Sequence, residues 1–291
     1  ISGLLMVSVM TLCGVPLELA LLLAGIATAT DPAATMDVVY ELKARGRFSD
    51  ILQDIVAIDD AWGLLAFSVL LAIAQVLNGQ GSGSEILLVV AWEIGGAVLL
   101  GFLLGFPMAF LTGRLHSGTP IQAEALGLVL LCAGLAVWAE VSHILAAMVL
   151  GSVVVNTAKH HELPFHAIEG IEWPFMILFF LLAGAALQLE TLLQVGLLGA
   201  AYITLRLAGR ILGTRLGGQL CHADSTTQRW MGLALLPQAG VAIGMALLAS
   251  QSFPEFRDII LPVVLGSTVI FELLGPVMTR WALIQAGEAR R

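Results

Sequence analysis

Charge is what this chain has least of. Only 12% of its 291 residues are charged, and just 13 are Lys or Arg. Those basic residues form no dense patch, so a nucleic-acid footprint is excluded. The net charge of −8 says little about partners, because many of the acids lie inside apolar stretches. Cysteine is also sparse: Cys13, Cys132 and Cys221 are far apart, in or beside apolar segments. An odd count without paired spacing excludes a disulfide framework or a zinc site, and no cofactor is called for. No basic stretch precedes residues 1–13, which therefore read as most of a membrane helix rather than a signal peptide. With Ile1 at its head, the sequence is expected to begin partway into a longer protein. What fills the chain instead is apolar: 58% hydrophobic residues and a mean hydropathy of +0.95. A soluble domain cannot hide that much apolar surface, so lipid is the expected solvent. The fold class is an all-α, polytopic membrane protein.

Windows of about 20 apolar residues predict ten segments near 1–13, 15–44, 50–77, 85–111, 121–139, 142–157, 166–188, 192–220, 229–250 and 258–282. Connections are short. If the segments alternate in direction, one side of the membrane receives Lys43, Arg45, Arg47, Arg114, Lys159, Arg215, Arg229, Arg280, Arg290 and Arg291. The other side receives only Arg257, while Arg206 and Arg210 lie within a segment. Basic residues concentrate on the cytoplasmic side of membrane proteins. The basic loops and the C-terminus are therefore expected in the cytoplasm, with the segments crossing the inner (plasma) membrane.

Two segments carry a proline at their centre. The second contains Thr30-Asp31-Pro32 and the ninth contains Leu236-Pro237-Gln238-Ala239-Gly240. Proline removes a backbone donor and clashes with the carbonyl four residues back, here Thr28 and Leu233. Within a bilayer such freed groups need protein, water or an ion. Pro107, Pro174, Pro262 and Pro276 also fall in membrane segments, where a tolerated kink is the ordinary explanation. Pro32 and Pro237 differ in position, since each lies in the middle member of a triplet. Segments 1–3 and 8–10 run in opposite senses, which predicts inverted-topology repeats with two discontinuous, crossing helices. That pattern points to a transporter site at the membrane midplane. The expected organisation is a first half of the core bundle at 1–78, broken near 30–33. Linking and dimerisation-side helices follow at 79–190, and a second half at 191–291, broken near 236–240. Where broken helices cross, like partial charges meet. Asp31 can offset positive ends and a neighbouring basic residue the negative ones. Thr30 and Gln238 can bond freed backbone, although Thr30 equally suits ordinary back-bonding within a helix.

The third segment carries Asp59-Asp60 at mid-span, flanked by long apolar runs. Each acid costs about 3 kcal/mol to insert there, so a function is the default reading. Neighbours on a helix point about 100° apart, so one carboxylate can face a fixed partner and the other a water-filled cavity. Two carboxylates in one apolar site cannot both stay bare. Their oxygens take up a proton or a hard cation such as Na⁺, and the two occupants exclude each other. That exclusion is antiport in its simplest form, and the pair titrates as one coupled site. Candidate fixed partners are Arg206 and Arg210, four apart and on one face of the eighth segment; snorkelling to the interface is the alternative for Arg210. Gly209, Gly213 and Gly217 form a stripe that permits close helix approach. Glu272 lacks a local partner, which suggests an Arg206–Glu272 pair. Asp54 lies less than two turns from Asp60 and is placed to line an access funnel, and Glu93 is left without a role. His160, His161 and His166 sit at a turn beside Glu162, without metal-ligand spacing, and read as a solvated loop.

At these residues the sequence resembles the monovalent cation:proton antiporter superfamily, the bacterial Na⁺/H⁺ exchangers with paired aspartates. The stretches are Ala29-Thr30-Asp31-Pro32, Ala57-Ile58-Asp59-Asp60, Phe179-Phe180-Leu181-Leu182-Ala183-Gly184, Gly209-Arg210-Ile211-Leu212-Gly213 and Leu236-Pro237-Gln238-Ala239-Gly240. The resemblance implies a core bundle of six helices moving against a dimerisation domain, hence a homodimer of the full-length protein. It implies Asp60 as carrier of ion and proton, with Asp59 paired to Arg210, and no enzymatic activity. Exchangers of this type often have lysine at the position of Arg210, and they have further helices before the one resembling segment one. Rival expectations are a K⁺/H⁺ exchanger of the same superfamily, a sodium-coupled organic-solute symporter, and a channel or sensor. A symporter would favour a roomier polar cavity than two converging carboxylates. Glutathione-regulated K⁺ exchangers carry a soluble nucleotide-binding domain that no stretch here matches. Na⁺ (with Li⁺) therefore ranks ahead of K⁺ as the exchanged cation.

Overall fold

A computed structural model describes residues 1–79, 83–112, 121–158, 196–238 and 240–289, with isolated positions between 168 and 181. Most of the seventh expected segment, including Phe179, Phe180 and Gly184, lies outside these residues, as do Ala239, Arg114, Lys159, His160, His161 and His166. Among the described residues every regular element is a helix. In chain order these are α1 (Ser2–Leu12), α2 (Leu17–Ile26), α3 (Pro32–Glu41), α4 (Arg47–Leu77), α5 (Gly83–Thr112), α6 (Ile121–Trp138) and α7 (His143–Thr157). Then come α8 (Gly196–Leu220), α9 (Ser225–Ala234), α10 (Gly240–Ser252), a 3-10 turn at Pro254–Phe256 and α11 (Arg257–Gln285).

The second and ninth segments are each two helices. α2 stops at Ile26 and α3 starts at Pro32, while α9 stops at Ala234 and α10 starts at Gly240. Local sequence sets these ends. Asp31 caps α3, accepting from the amides of Ala33 at 3.0 Å and Ala34 at 3.3 Å. Pro32 takes the first helical position, where its missing N–H costs nothing. Pro107, Pro262 and Pro276, by contrast, sit inside continuous helices. The difference is context: the Pro32 and Pro237 breaks have polar groups to receive the freed backbone, as the site geometry below describes.

The chain divides into two units, Ile1–Gln80 with Ala185–Arg291, and Gly81–Gly184. In the first unit α2 packs along α4, α8 along α9 and α1, and α11 along α9, α10 and α3. Small residues set the approaches. A Cβ on Gly232 would lie 2.7 Å from Ile211 Cα, and one on Gly209 2.9 Å from Ser2 Cα. The expected glycine stripe on α8 is only partly used: Gly213 has ordinary contacts and Gly217 faces open space. The second unit is α5 packed on α7, with α6 alongside. There Gly101 and Gly105 seat Val149 and Val153, each within 2.7 Å of where a Cβ would stand.

Among the described residues three helices are long and apolar enough to cross a membrane: Arg47–Leu77, Ala91–Leu111 and, counting the 3-10 turn, Pro254–Gln285. Shorter apolar helices such as Leu17–Ile26 and Gly240–Ser252 are the broken halves. Large apolar side chains stand fully outward, among them Leu4, Leu12, Trp62, Leu103 and Trp138. Such a surface suits lipid rather than water.

Candidate ion-binding site

The two breaks meet. The Asp31 amide donates to the Pro237 carbonyl at 2.9 Å, a backbone bond joining one interrupted helix to the other. Gly275 of α11 makes room for the second break, since a Cβ there would stand 2.8 Å from Pro237 Cα. Around this crossing the freed backbone is satisfied by side chains. Thr279 Oγ1 donates to the Ala234 carbonyl at 3.0 Å. Gln238, fully buried, donates through Nε2 to the Ile26 carbonyl at 3.4 Å and to the Tyr202 hydroxyl at 3.2 Å.

Arg206 does most at this crossing. It is fully buried, and its Nη1 donates to the Leu236 carbonyl at 2.8 Å while Nη2 donates to the Ala29 carbonyl at 2.7 Å. Both acceptors lie just past helix C-termini, where partial negative charge gathers. One guanidinium therefore serves the ends of α2 and α9 together, and its Cζ stacks 4.3 Å from the Phe271 ring centroid. This corrects the expected Arg206–Glu272 pair. The two freed carbonyls take the forked end of the guanidinium, and among the described residues no ion pair joins Arg206 to Glu272. The Glu272 carboxyl instead lies beside that of Asp31, and its Oε1 is buried without a hydrogen-bond partner among the described residues.

One turn further along α8, Arg210 is almost wholly buried. Its Nη1 meets Asp59 Oδ2 at 3.0 Å. Its Nη2 donates to Thr30 Oγ1 at 2.6 Å and, in a short contact, to the Thr28 carbonyl freed by Pro32. The Thr30 hydroxyl donates in turn to Asp59 Oδ2. Thr30 thus links carboxylate to guanidinium rather than bonding backbone. Gly63, one turn beyond the pair on α4, brings that helix against Thr28: a Cβ there would stand 3.3 Å from its Oγ1.

Asp60 is treated differently from its neighbour. Its Oδ1 is buried and has no hydrogen-bond partner among the described residues. The structure thus gathers Thr30, Asp31, Asp59, Asp60, Arg206, Arg210, Pro237 and Gln238 around one crossing, with Glu272 adjoining through Asp31. Asp54 is exposed on α4, and Glu93 belongs to the second unit. Sequence reasoning did not single out Tyr202, which orients Gln238 against the break. The available signal was spacing: Tyr202, Arg206 and Arg210 recur every four residues and share one buried face of α8.

A membrane protein built on two interrupted helices that meet is thereby defined as a class, and comparison with known proteins supplies the family. Residues 1–285 match the family described as sodium/hydrogen exchanger, transmembrane, and the chain belongs to that family. It is 25% identical over 264 residues to the ammonium/H⁺ antiporter subunit AmhT of Alkalihalophilus pseudofirmus, covering 90% of this chain and 66% of that protein. It is 26% identical over 283 residues to the low-affinity Na⁺/H⁺ antiporter NhaS1 of Synechocystis, covering 90% of this chain and 52% of that one. The chain therefore spans between half and two thirds of these relatives' lengths. The structure of the sodium proton antiporter MjNhaP1 from Methanocaldococcus jannaschii has the same fold, with a TM-score of 0.78 and 17% identity, over 97% of this chain and 75% of that one. These relatives are named as antiporters, which are secondary transporters and not enzymes, and their substrates are the ions they move.

Proposed function

We propose that this chain is the transport core of an antiporter exchanging Na⁺ (or Li⁺) for H⁺ by alternating access, with Asp60 as the exchangeable site. The supporting observation is the asymmetry within the adjacent pair. Asp59 is held by Arg210 and Thr30, whereas a buried oxygen of Asp60 has no partner among the described residues. A carboxylate oxygen shut from water and left bare is costly. A proton or a hard cation removes that cost, and one excludes the other. Asp60, next to Asp59 in the chain, offers carboxylate oxygens of the kind that suit Na⁺. Arg210 cannot take part in proton exchange, because arginine does not deprotonate in proteins. Asp59 is then the fixed neighbour that keeps that cation neutralised, and protons travel on Asp60. The full-length protein is read as a homodimer in the inner (plasma) membrane with a cytoplasmic C-terminus, on the one-sided distribution of basic residues and the family resemblance. The second reading is exchange of a larger monovalent cation, K⁺ or ammonium, favoured by similarity to a relative named as an ammonium antiporter subunit.

The test is reconstitution into vesicles carrying an internal pH dye, with Na⁺, Li⁺ and K⁺ added in turn. Ammonium, which crosses lipid as ammonia, is scored against protein-free vesicles. Cation-driven proton movement that Asp60→Asn abolishes is the expected result. Exchange that survives in that variant removes the site assignment, and exchange with K⁺ or ammonium alone transfers the function to the second reading.

A further inference from the structure

α4, the helix that bears Asp59 and Asp60, starts behind Gly46, which has no side chain with which to cap it. Its first amides need acceptors from elsewhere. They come from the segment just past α11. Glu288 Oε1 accepts from the Phe48 amide at 2.7 Å, and Oε2 accepts from the Ser49 amide at 2.8 Å and the Ser49 hydroxyl at 2.5 Å. A carboxylate here also faces the positive end of the α4 dipole. The glycine is required for the approach, because a Cβ on Gly46 would fall 2.3 Å from Glu288 Oε1. Ser49 and Phe48 are buried. Ala286 and Ala289 flank the glutamate and pack on the apolar cluster that holds Phe48, Leu52 and Val56 of α4 and Leu235 at the second break.

α4 is continuous from Arg47 to Leu77 and contains no proline. Ser49 and Asp59 lie about 15 Å apart along its axis at 1.5 Å per residue. A straight helix passes an axial slip at one end to every residue along it. The Asp59–Arg210 contact is 3.0 Å long, and hydrogen bonds weaken steeply outside their normal range, so a slip of about 1 Å is enough to break it. We propose that Glu288 is a positioning residue for exchange: by clamping the first turn of α4 to the segment after α11, it sets the seat of the Asp59–Asp60 pair and so the cation affinity of that site. The inference rests on the ion-site assignment made under Proposed function.

The test uses the full chain in vesicles and compares wild type with Glu288→Gln, Glu288→Asp, Gly46→Ala and the Gly46→Ala/Glu288→Gln double variant. KM and maximal rate are read for the exchanged cation, together with the cation concentration that half-maximally raises the melting temperature in detergent. Glu288→Gln removes the charge, and Gly46→Ala displaces the carboxylate with its charge intact while also straining the backbone at φ 155°, so Glu288→Gln is the decisive single variant. Each single variant is expected to raise KM and the half-maximal concentration about fivefold, the factor that corresponds to one lost cap, with maximal rate within about twofold of wild type. The double variant should be no worse than the worse single, and Glu288→Asp should recover part of the loss. A cap that merely holds the fold together would instead lower melting temperature and maximal rate through lost molecules while KM stays put. That outcome overturns the proposal, as does an unmoved KM with no other change. A wild type showing neither exchange nor cation-induced stabilisation removes the ion-site reading, and this inference falls with it.

Discussion

Replacing Arg206 by methionine tests the central structural argument, that a single buried guanidinium holds the two interrupted helices together. Methionine keeps the length of the stem and removes the fork. Two charge-assisted hydrogen bonds disappear, to the carbonyls of Leu236 at 2.8 Å and Ala29 at 2.7 Å. Bonds to charged groups are worth about 1.5–3 kcal/mol each, so the gross loss is about 3–6 kcal/mol. Against this, a fully buried guanidinium carries a desolvation penalty of several kcal/mol that the variant no longer bears. The carbonyls stay buried, however, and each orphaned acceptor costs about 1–3 kcal/mol. They also belong to two helix ends of like partial charge, now facing each other without a counter-ion. The net expectation is a destabilisation of about 3 kcal/mol, roughly a 6–12 °C fall in melting temperature by the scaling for domains of 150–250 residues. The measurement is thermal unfolding in detergent followed by intrinsic fluorescence. Arg206→Lys should fall between, since one ammonium keeps the charge but cannot fork to both carbonyls in plane. If Arg206→Met melts within about 1 °C of wild type, the guanidinium is not what compensates the crossing, and the reasoning fails.

Three further predictions share this logic. Asp59→Asn leaves Arg210 with the Thr28 carbonyl and Thr30 but without its counter-charge. With side chains 9% and 21% exposed, the loss should sit at or below the lower end for a broken buried pair, about 2–3 kcal/mol, and an unaltered melting temperature would count against the pairing. If proton and cation compete for Asp60, the apparent KM for the cation should fall about tenfold per pH unit across the range where the site is protonated; a KM that ignores pH in vesicle assays would rule out a shared site. Asp224 caps α9 through Thr227, whose amide and hydroxyl donate at 3.0 and 2.7 Å, and these bonds hold its carboxyl below the ordinary 3.8. A depressed acid stabilises the fold fully above its unfolded value and loses that contribution as pH falls through the folded one. Asp224→Ala should therefore cost about 1 kcal/mol near neutrality and flatten the loss of stability between pH 5 and pH 3 in melting curves.

How much of this was legible in the sequence depends on the range of the interaction. Among the described residues the helices and the two interruptions were readable, because apolar runs and central prolines are local signals, and the start of α3 follows from Asp31 and Pro32 alone. The Asp59–Arg210 pair was expected from the family resemblance and from need, since a mid-membrane carboxylate requires a partner and few basic residues lie deep enough to supply one; that Thr30 would bridge the two was not. Arg206 shows where such reasoning stops. Pairing it with Glu272 matched charge to charge, whereas the fold presents it with two bare carbonyls. The need for a basic residue at the negative helix ends was readable, but backbone acceptors carry no side-chain signature, so nothing in the sequence said that Arg206 fills it. Glu288 was missed for a related reason. It acts across 239 and 240 positions of chain, and the only local hint is Gly46, a helix start that cannot cap itself. The glycines of α8 were over-read, because a small residue licenses close approach without compelling it.

The choice of arginine rather than lysine at position 210 has the largest consequence for the proposed exchange. A lysine against Asp59 could surrender its proton when the carboxylate is claimed by a cation, and the pair would then break and reform in each cycle. Arginine keeps its charge, and here it has three acceptors: Asp59, Thr30 and the Thr28 carbonyl. Releasing Asp59 would still leave it bonded to the break in the second segment. On the proposed reading Arg210 is therefore a fixed part of the crossing, and Asp59 is held with it through transport. The exchangeable charge then reduces to Asp60, the member of the pair whose buried oxygen lacks a partner among the described residues. Arg210→Lys separates these alternatives. If the basic residue is only a clamp, lysine should lower stability by forfeiting the contacts to Thr28 and Thr30, and leave the number of protons exchanged per cation unchanged. A change in that ratio, read from the membrane potential that balances a set cation gradient in vesicles, would show that the site at position 210 can carry a proton and that arginine is there to forbid it.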